Sequence, residues 1–221
     1  VHAVSEEESR HFLQGIYFNI EQSAIGLVAS DGRRLALTKI IPSNNWNAKP
    51  LGVIIPTRAI AQVIRIFGET PEIKINILDK QILFATDEMV LSSRLIEGEY
   101  PDYDAIIGPS RGNSIKMMGK TSQLTSVVKR ASLLANPKTP ALLMEVLYEN
   151  SKPYLQVSAR TEGLGESQEN MSVEFDGAGI TISVNAKYLL DIIGNISAEN
   201  ILFVFKDSQS PIWIKPENGS K

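Results

Sequence analysis

The chain repeats itself once. A β-rich run, Val53–Ile55, leads into the helical pattern Pro56–Phe67 (PTRAIAQVIRIF), then into Glu72–Leu78 (EIKINIL) and Gln81–Ala85 (QILFA). The same series returns as Ile180–Ile182, Asn185–Ile196 (NAKYLLDIIGNI), Asn200–Lys206 (NILFVFK) and Pro211–Lys215 (PIWIK), at a shift of about 129 residues. That shift also brings Leu27-Val28-Ala29 onto Val157-Ser158-Ala159. One such match carries little weight, but an ordered series at one spacing is the mark of duplication. Strands of period two beside helices of period 3.6 predict an α+β fold: two tandem domains, each an antiparallel sheet with helices packed on one face. The domains are placed at 1–111 and 112–221. Between the halves, Leu91–Ile107 (LSSRLIEGEYPDYDAII) reads as a linker punctuated by Gly98 and Pro101, too apolar to lie free in water.

The remaining elements follow from turn signals and periodicity. Ser5–Arg10 reads either as a helical turn capped by Ser5, with Glu8 three positions on, or, as the favoured reading, as a solvated loop. Strands are predicted at Gly15–Ile20, Gly26–Ser30 and Arg34–Leu37 around an Asp31-Gly32 turn. The helix Thr57–Phe67 is expected to turn Ile60, Val63, Ile64 and Phe67 inward, with Arg58, Gln62 and Arg65 outward. In the second half a strand from Ser114 precedes a helix Thr121–Ala135, with Leu124, Val127, Val128, Ala131 and Leu134 inward. Ala141–Tyr148 and Tyr154–Ala159 form a hairpin, Ser172–Phe175 and Ile180–Val184 flank an Asp176-Gly177 turn, and a helix spans Ala186–Ile196. Shifting the strand and helix that open the second copy back by the repeat lands before Val1. The chain therefore reads as a fragment whose first copy lacks its opening strand and helix.

Several function classes are excluded on composition. There is no cysteine for disulfides or thiolate chemistry, and no basic-then-apolar leader or membrane-length apolar run, which predicts a cytoplasmic protein. Lys and Arg number 22 against 25 Asp and Glu, so any nucleic-acid contact must come from cations gathered on one face. An enzyme needs a nucleophile, an acid–base pair or a metal cluster. His2 and His11 lack ligand spacing, Asp102 and Asp104 read as solvated loop acids, and Gly163-Leu164-Gly165 lacks the third glycine of a nucleotide loop. No catalytic residue, cofactor or metal is expected.

The motifs, taken in order, resemble a known family. Phe12-Leu13-Gln14-Gly15, Ala29–Ala36 (ASDGRRLA), Val53–Pro56 (VIIP), Ser93–Tyr103 (SRLIEGEYPDY), Arg130–Leu134 (RASLL) and Asn185–Asp191 (NAKYLLD) are similar to the bacterial replicative sliding clamp, the beta subunit of DNA polymerase III, in its middle and last domains. The resemblance implies a homodimeric ring whose helices line a hole around duplex DNA, held without regard to sequence, and it makes Arg10, His11, Arg58, Arg65, Lys129, Arg130 and Lys187 the DNA-facing residues. It also implies a groove for short linear peptides of the polymerase III catalytic subunit, the clamp loader, other polymerases and repair proteins. Leu13, Ser30, Gly32, Arg33, Arg34, Leu35, Pro101, Ile106, Asn185, Tyr188 and Pro211 are the matching groove positions. There Leu13, Leu35, Pro101 and Ile106 would supply apolar pockets, with Arg34 and Asn185 orienting the peptide. The family's last strand and tail are expected beyond Lys221. The rival reading is a protein-interaction scaffold of two repeated α+β domains with no nucleic-acid role.

Overall fold

The computed structural model describes residues 2–42, 49–108, 115–177 and 179–217. Two compact units divide the chain, Val1–Pro101 and Asp102–Lys221. The domain boundary expected at 111/112 lies outside the described residues.

In the first unit a 3-10 segment, Glu8–Leu13, precedes β1 (Gly15–Ile20), β2 (Ile25–Ser30), β3 (Leu35–Ile40) and β4 (Leu51–Pro56). These pair antiparallel in the order β3-β2-β1-β4. The helix α1 (Thr57–Phe67) follows β4 without a loop, and β5 (Lys74–Ile77), β6 (Gln81–Ala85) and β7 (Val90–Arg94) make a second sheet. A bridge from Ile54 to Ile96 ties the two sheets together. Gly15 sits under that bridge, where a Cβ would lie 2.5 Å from Ile54 Cγ2 and 2.8 Å from the Ile55 carbonyl oxygen. Only glycine allows this approach of backbone to side chain. The core gathers Phe18, Ile20, Ile55, Ala59, Phe67, Ile82 and Phe84.

The second unit begins with the five-residue helix α2 (Tyr103–Ile107), followed by β8 (Ile115–Lys120), α3 (Thr121–Ser132), β9 (Ala141–Glu149), β10 (Lys152–Thr161) and β11 (Gly165–Ser172). It closes with β12 (Glu174–Asp176), β13 (Ile180–Asn185), α4 (Ala186–Gly194), β14 (Asn200–Phe205) and β15 (Trp213–Pro216). One sheet runs β11-β10-β9-β13, repeating the order of the first unit's four-stranded sheet; the other runs β12-β8-β14-β15. The duplication holds at the level of register. β4 and β13 are each six residues, and each ends opposite the first residue of its meander, Pro56 on Gly15 and Asn185 on Ala141. The larger core sits between these two sheets with α3 and α4, where Leu124, Val128, Leu142, Met144, Leu155, Ile193, Ile201, Phe203 and Phe205 are almost fully buried. Each such side chain contributes roughly 1.5–3 kcal/mol relative to exposure.

Four sequence readings are corrected. Ile64 is 60% exposed, and the inward stripe of α1 is Ala59, Ile60, Val63, Ile66 and Phe67, centred on Val63. The helix begun at Thr121 ends at Ser132, short of Ala135. Glu8–Arg10 belongs to the 3-10 segment, so the favoured loop reading gives way there to the helical-turn alternative. Gly165–Ser172 is a strand that the sequence reading missed, because GESQENMS has no apolar alternation. Its backbone is instead recruited by β10 from Tyr154 to Thr161.

Among the described residues, one buried side-chain polar atom has no hydrogen-bond partner, the Tyr100 hydroxyl. The ring stacks on Tyr17 at 4.8 Å and the residue is 9% exposed. Burial pushes the hydroxyl up to about 12, opposed only in part by the Ser30 backbone. The Ser30 backbone lies close enough to oppose the shift but does not complete a hydrogen bond by geometry, so the hydroxyl stays unsatisfied; such a group costs about 1–3 kcal/mol, and Tyr100→Phe should hold or raise the melting temperature. Because the folded state favours the neutral phenol, this residue's share of stability is intact below pH ~10 and lost between there and about 12. Melting curves at pH 9 and 11 should show the parent falling further than Tyr100→Phe; equal falls would contradict this account.

Candidate functional site

The three long helices carry the expected cations outward. Arg58 and Arg65 are exposed on α1, and Arg65 Nη2 donates to Gln62 Oε1 at 2.6 Å across one turn. No acidic residue stands in the first turn of α1, α3 or α4. That is unusual, since the helix dipole favours carboxylates there. Lys129 and Arg130 occupy the last turn of α3, and Lys187 is exposed near the start of α4.

Arg130 is not a free cation. Its Nε and Nη2 both donate to Glu169 Oε2, at 2.9 and 2.6 Å, with side chains 54% and 26% exposed. These hydrogen bonds hold Glu169 below the ordinary carboxylate range and push Arg130 up. Beside the pair an open groove of about 500 Å³ separates α3 from β11, lined by Ser122, Gln123, Ser126, Arg130, Asn170 and Ser172. In the first unit Arg10 pairs with Glu7 at 3.4 Å and packs over Gly32, and His11 Nε2 meets the Glu97 carbonyl oxygen at 3.1 Å.

The groove positions of the first unit centre on the β2–β3 turn. Asp31 Oδ1 accepts from the Arg33 and Arg34 amides at 2.8 and 2.9 Å, and Oδ2 accepts from Arg34 Nε at 3.1 Å. Ser30 Oγ accepts from the Gly32 amide and donates to the Arg34 carbonyl oxygen, while Gly32 takes φ +83°. Arg34 also donates to the His2 carbonyl oxygen. With its ion pair only 13% and 14% exposed, Arg34 is a strut of this turn. Leu13 is buried, Leu35 half-buried, and Arg33 and Pro101 exposed.

The rest of the groove positions lie in the second unit. Asn185 caps α4, its Oδ1 accepting from the Lys187 and Tyr188 amides at 2.9 and 3.2 Å. Tyr188 is half-buried, and Ile106 and Pro211 are exposed. Sequence reasoning missed Glu169 and Asp31. Asp31 stands inside a turn motif and could have been read as its side-chain acceptor. Glu169 carries no local signal, since its partner lies 39 residues away.

Two family models match the chain: the central domain of the DNA polymerase III beta subunit over residues 1–102, and its C-terminal domain over 109–221. The beta sliding clamp of Pseudomonas aeruginosa is 29% identical over 212 residues, covering 94% of this chain and 55% of that protein. That of Buchnera aphidicola is 29% identical over 220 residues, covering 99% and 58%. Among solved structures, the P. aeruginosa DNA polymerase III subunit beta superposes with a TM-score of 0.89 at 26% identity, covering 99% of this chain and 58% of that one. The Bacillus subtilis DNA polymerase sliding clamp gives 0.90 at 26%, covering 99% and 57%. The chain thus spans a little over half the length of the curated relatives it matches.

The cap at Asn185 makes a testable distinction between holding a helix and touching a ligand. Asn185→Ala should cost about 0.5–2 kcal/mol in urea unfolding, whereas Asn185→Asp should cost little because the carboxylate can cap as well. A loss of the same size in both variants would overturn the capping role.

Proposed function

The chain belongs to the DNA polymerase III beta subunit family, and from that premise we propose that it forms the DNA-holding and partner-binding part of a sliding clamp. The observation that carries the reading is the segregation of charge. Of 22 Lys and Arg and 25 Asp and Glu, α1, α3 and α4 hold five of the former (Arg58, Arg65, Lys129, Arg130, Lys187) and one of the latter (Asp191), leaving 17 against 24 elsewhere. An acidic protein with cationic helix faces attracts duplex DNA to those faces and repels it from the rest. Attraction to phosphate is independent of sequence, so the protein is not halted at any base pair. In this reading processivity comes from enclosure in a homodimeric ring in the cytoplasm, and the protein has no catalysis of its own.

The second part of the proposal is capture of short peptides from the replicative polymerase, the clamp loader and repair proteins. The exposed or half-buried Leu35, Pro101, Ile106, Tyr188 and Pro211 support it as apolar anchor sites. The turn clasp and the α4 cap give two of these positions rigid backbones, which lowers the entropic cost of binding. The same features without the cationic helices would suit a scaffold with no DNA role.

Charge decides between the two. In the assembled clamp, Arg58→Glu with Arg65→Glu should reduce retention on duplex DNA and processive synthesis. The slope of log affinity against log salt should become shallower by about 0.9 for each phosphate that is no longer neutralised. Unchanged values would favour the scaffold. For the peptide site, a fluorescent peptide with Gln followed by spaced Leu or Phe should bind about tenfold more weakly to Leu35→Ala or Tyr188→Ala, a loss of roughly 1.4 kcal/mol. Unaltered affinity in both would place the site elsewhere.

A further inference from the structure

The sequence holds the step Asp-Gly twice among the described residues, at Asp31-Gly32 and at Asp176-Gly177, and the fold treats the two in opposite ways. We propose that Asp176-Gly177 is a site of spontaneous succinimide formation and isoaspartate conversion in the native protein, and that Asp31-Gly32 is locked against the same reaction. The chemistry needs three things: a following residue without a side chain, an amide nitrogen free to attack, and a carboxyl group free to rotate toward it. Glycine supplies the first at both steps.

At Asp31 the other two are denied. The Gly32 N–H donates to Ser30 Oγ at 3.1 Å, which occupies the nucleophile. Both carboxylate oxygens are engaged by Arg33 and Arg34 at 2.8 to 3.1 Å, so Cγ is held away from the Gly32 nitrogen. The Arg34–Asp31 ion pair that holds this arrangement is itself only 13% and 14% exposed. At Asp176 neither restraint is present among the described residues. Asp176 and Gly177 are both exposed, and among the described residues nothing hydrogen-bonds the Asp176 carboxylate or the Gly177 N–H. The Tyr148 hydroxyl donates to the Gly177 carbonyl oxygen at 2.9 Å, which anchors that oxygen and does not engage the amide nitrogen.

The step balances without any co-reactant except water. The Gly177 nitrogen attacks Asp176 Cγ; a C–N bond forms, a Cγ–O bond breaks, and the hydroxyl leaves with the amide proton as water. Water then opens the ring at either carbonyl. Attack at the main-chain carbonyl routes the backbone through Cβ, leaves a free α-carboxylate and lengthens the chain by one methylene. Asp176 is the last residue of β12, opposite Lys116 of β8, so the added methylene falls where β12 leaves the sheet. The pairing of Glu174 with Met118 and Phe175 with Met117 can survive while the exit is rerouted.

The test is incubation of the folded chain in water enriched in oxygen-18 at neutral pH, followed by proteolysis and mass mapping. The expected result is label in the peptide containing Asp176, with isoaspartate identified by its backbone fragment ions, and background label in the peptide containing Asp31. In denaturant both peptides should label alike, because there only the shared dipeptide remains. Asp176→Glu should remove the label from its own peptide, and Ser30→Ala with Arg34→Ala should raise it at Asp31. Equal labelling of the two sites in the folded chain, no label at Asp176, or unequal labelling in denaturant would each overturn the proposal.

Discussion

The structure depends on how three strands turn into helices. β4, β8 and β13 each pass into α1, α3 and α4 with no intervening loop, and each helix start is tied to the chain just before the strand that its own preceding strand pairs with. Thr57 Oγ1 donates to the Gln14 carbonyl oxygen, just before β1. The Thr121 amide and hydroxyl donate to the Glu199 and Ala198 carbonyl oxygens, just before β14. The Ala186 amide donates to the Pro140 carbonyl oxygen at 2.7 Å, just before β9. In α3 and α4 the first helical N–H, an orphan donor, is satisfied by the strand entrance that the preceding strand pairs with, and in α1 the Thr57 hydroxyl reaches the equivalent carbonyl. These hydrogen bonds therefore fix sheet register and helix position together.

That linkage explains why the duplication survives modest sequence similarity between the halves. A strand slipped by one residue would turn its buried set to solvent and also pull the helix start off its acceptor. Pro56 opposite Gly15 and Asn185 opposite Ala141 are equivalent end points, although no residue type is shared. Pro56 and Asn185 solve the same problem differently. Pro56 has no amide to satisfy and its fixed φ leads the chain into α1, whereas Asn185 caps α4 with its side chain.

Much of this was legible because it is local. The bounds of α1, Thr57–Phe67, and of β6, Gln81–Ala85, fell where proline, glycine and periodicity placed them. Ile64 was misread because it stands about 40° from Ile60 around the helix axis, at the margin between the apolar stripe and the Arg58–Arg65 row; only the register of Ala59 and Ile66 on the core decides its side. β11 was invisible for a different reason. An edge strand needs one inward residue in two, and here those are Ser167, Glu169 and Met171, of which Ser167 bonds the Ala131 carbonyl oxygen and Glu169 the Arg130 guanidinium. Polar groups that meet partners on another element leave no trace in hydropathy. The same holds for the site residues, where Arg34 and Asn185 could be named from motifs but not given their structural duties.

The distribution of restraint among the cations bears on how firmly such a surface could hold a polyanion. On α1 Arg58 and Arg65 share the outer face with neutral Gln62, whose amide oxygen orients Arg65 without cancelling its charge. On α3 Arg130 is neutralised by Glu169, leaving Lys129, and on α4 Lys187 shares its face with Asp191. α1 thus carries no carboxylate of its own, whereas Arg130 of α3 and Lys187 of α4 each have one near at hand. A surface with many unpaired arginines would trap phosphates at discrete positions, because each charge-assisted bidentate pair is strong and directional. Sparse cations, several of them with a carboxylate near at hand, present a shallow field in which one phosphate is exchanged for the next at small cost.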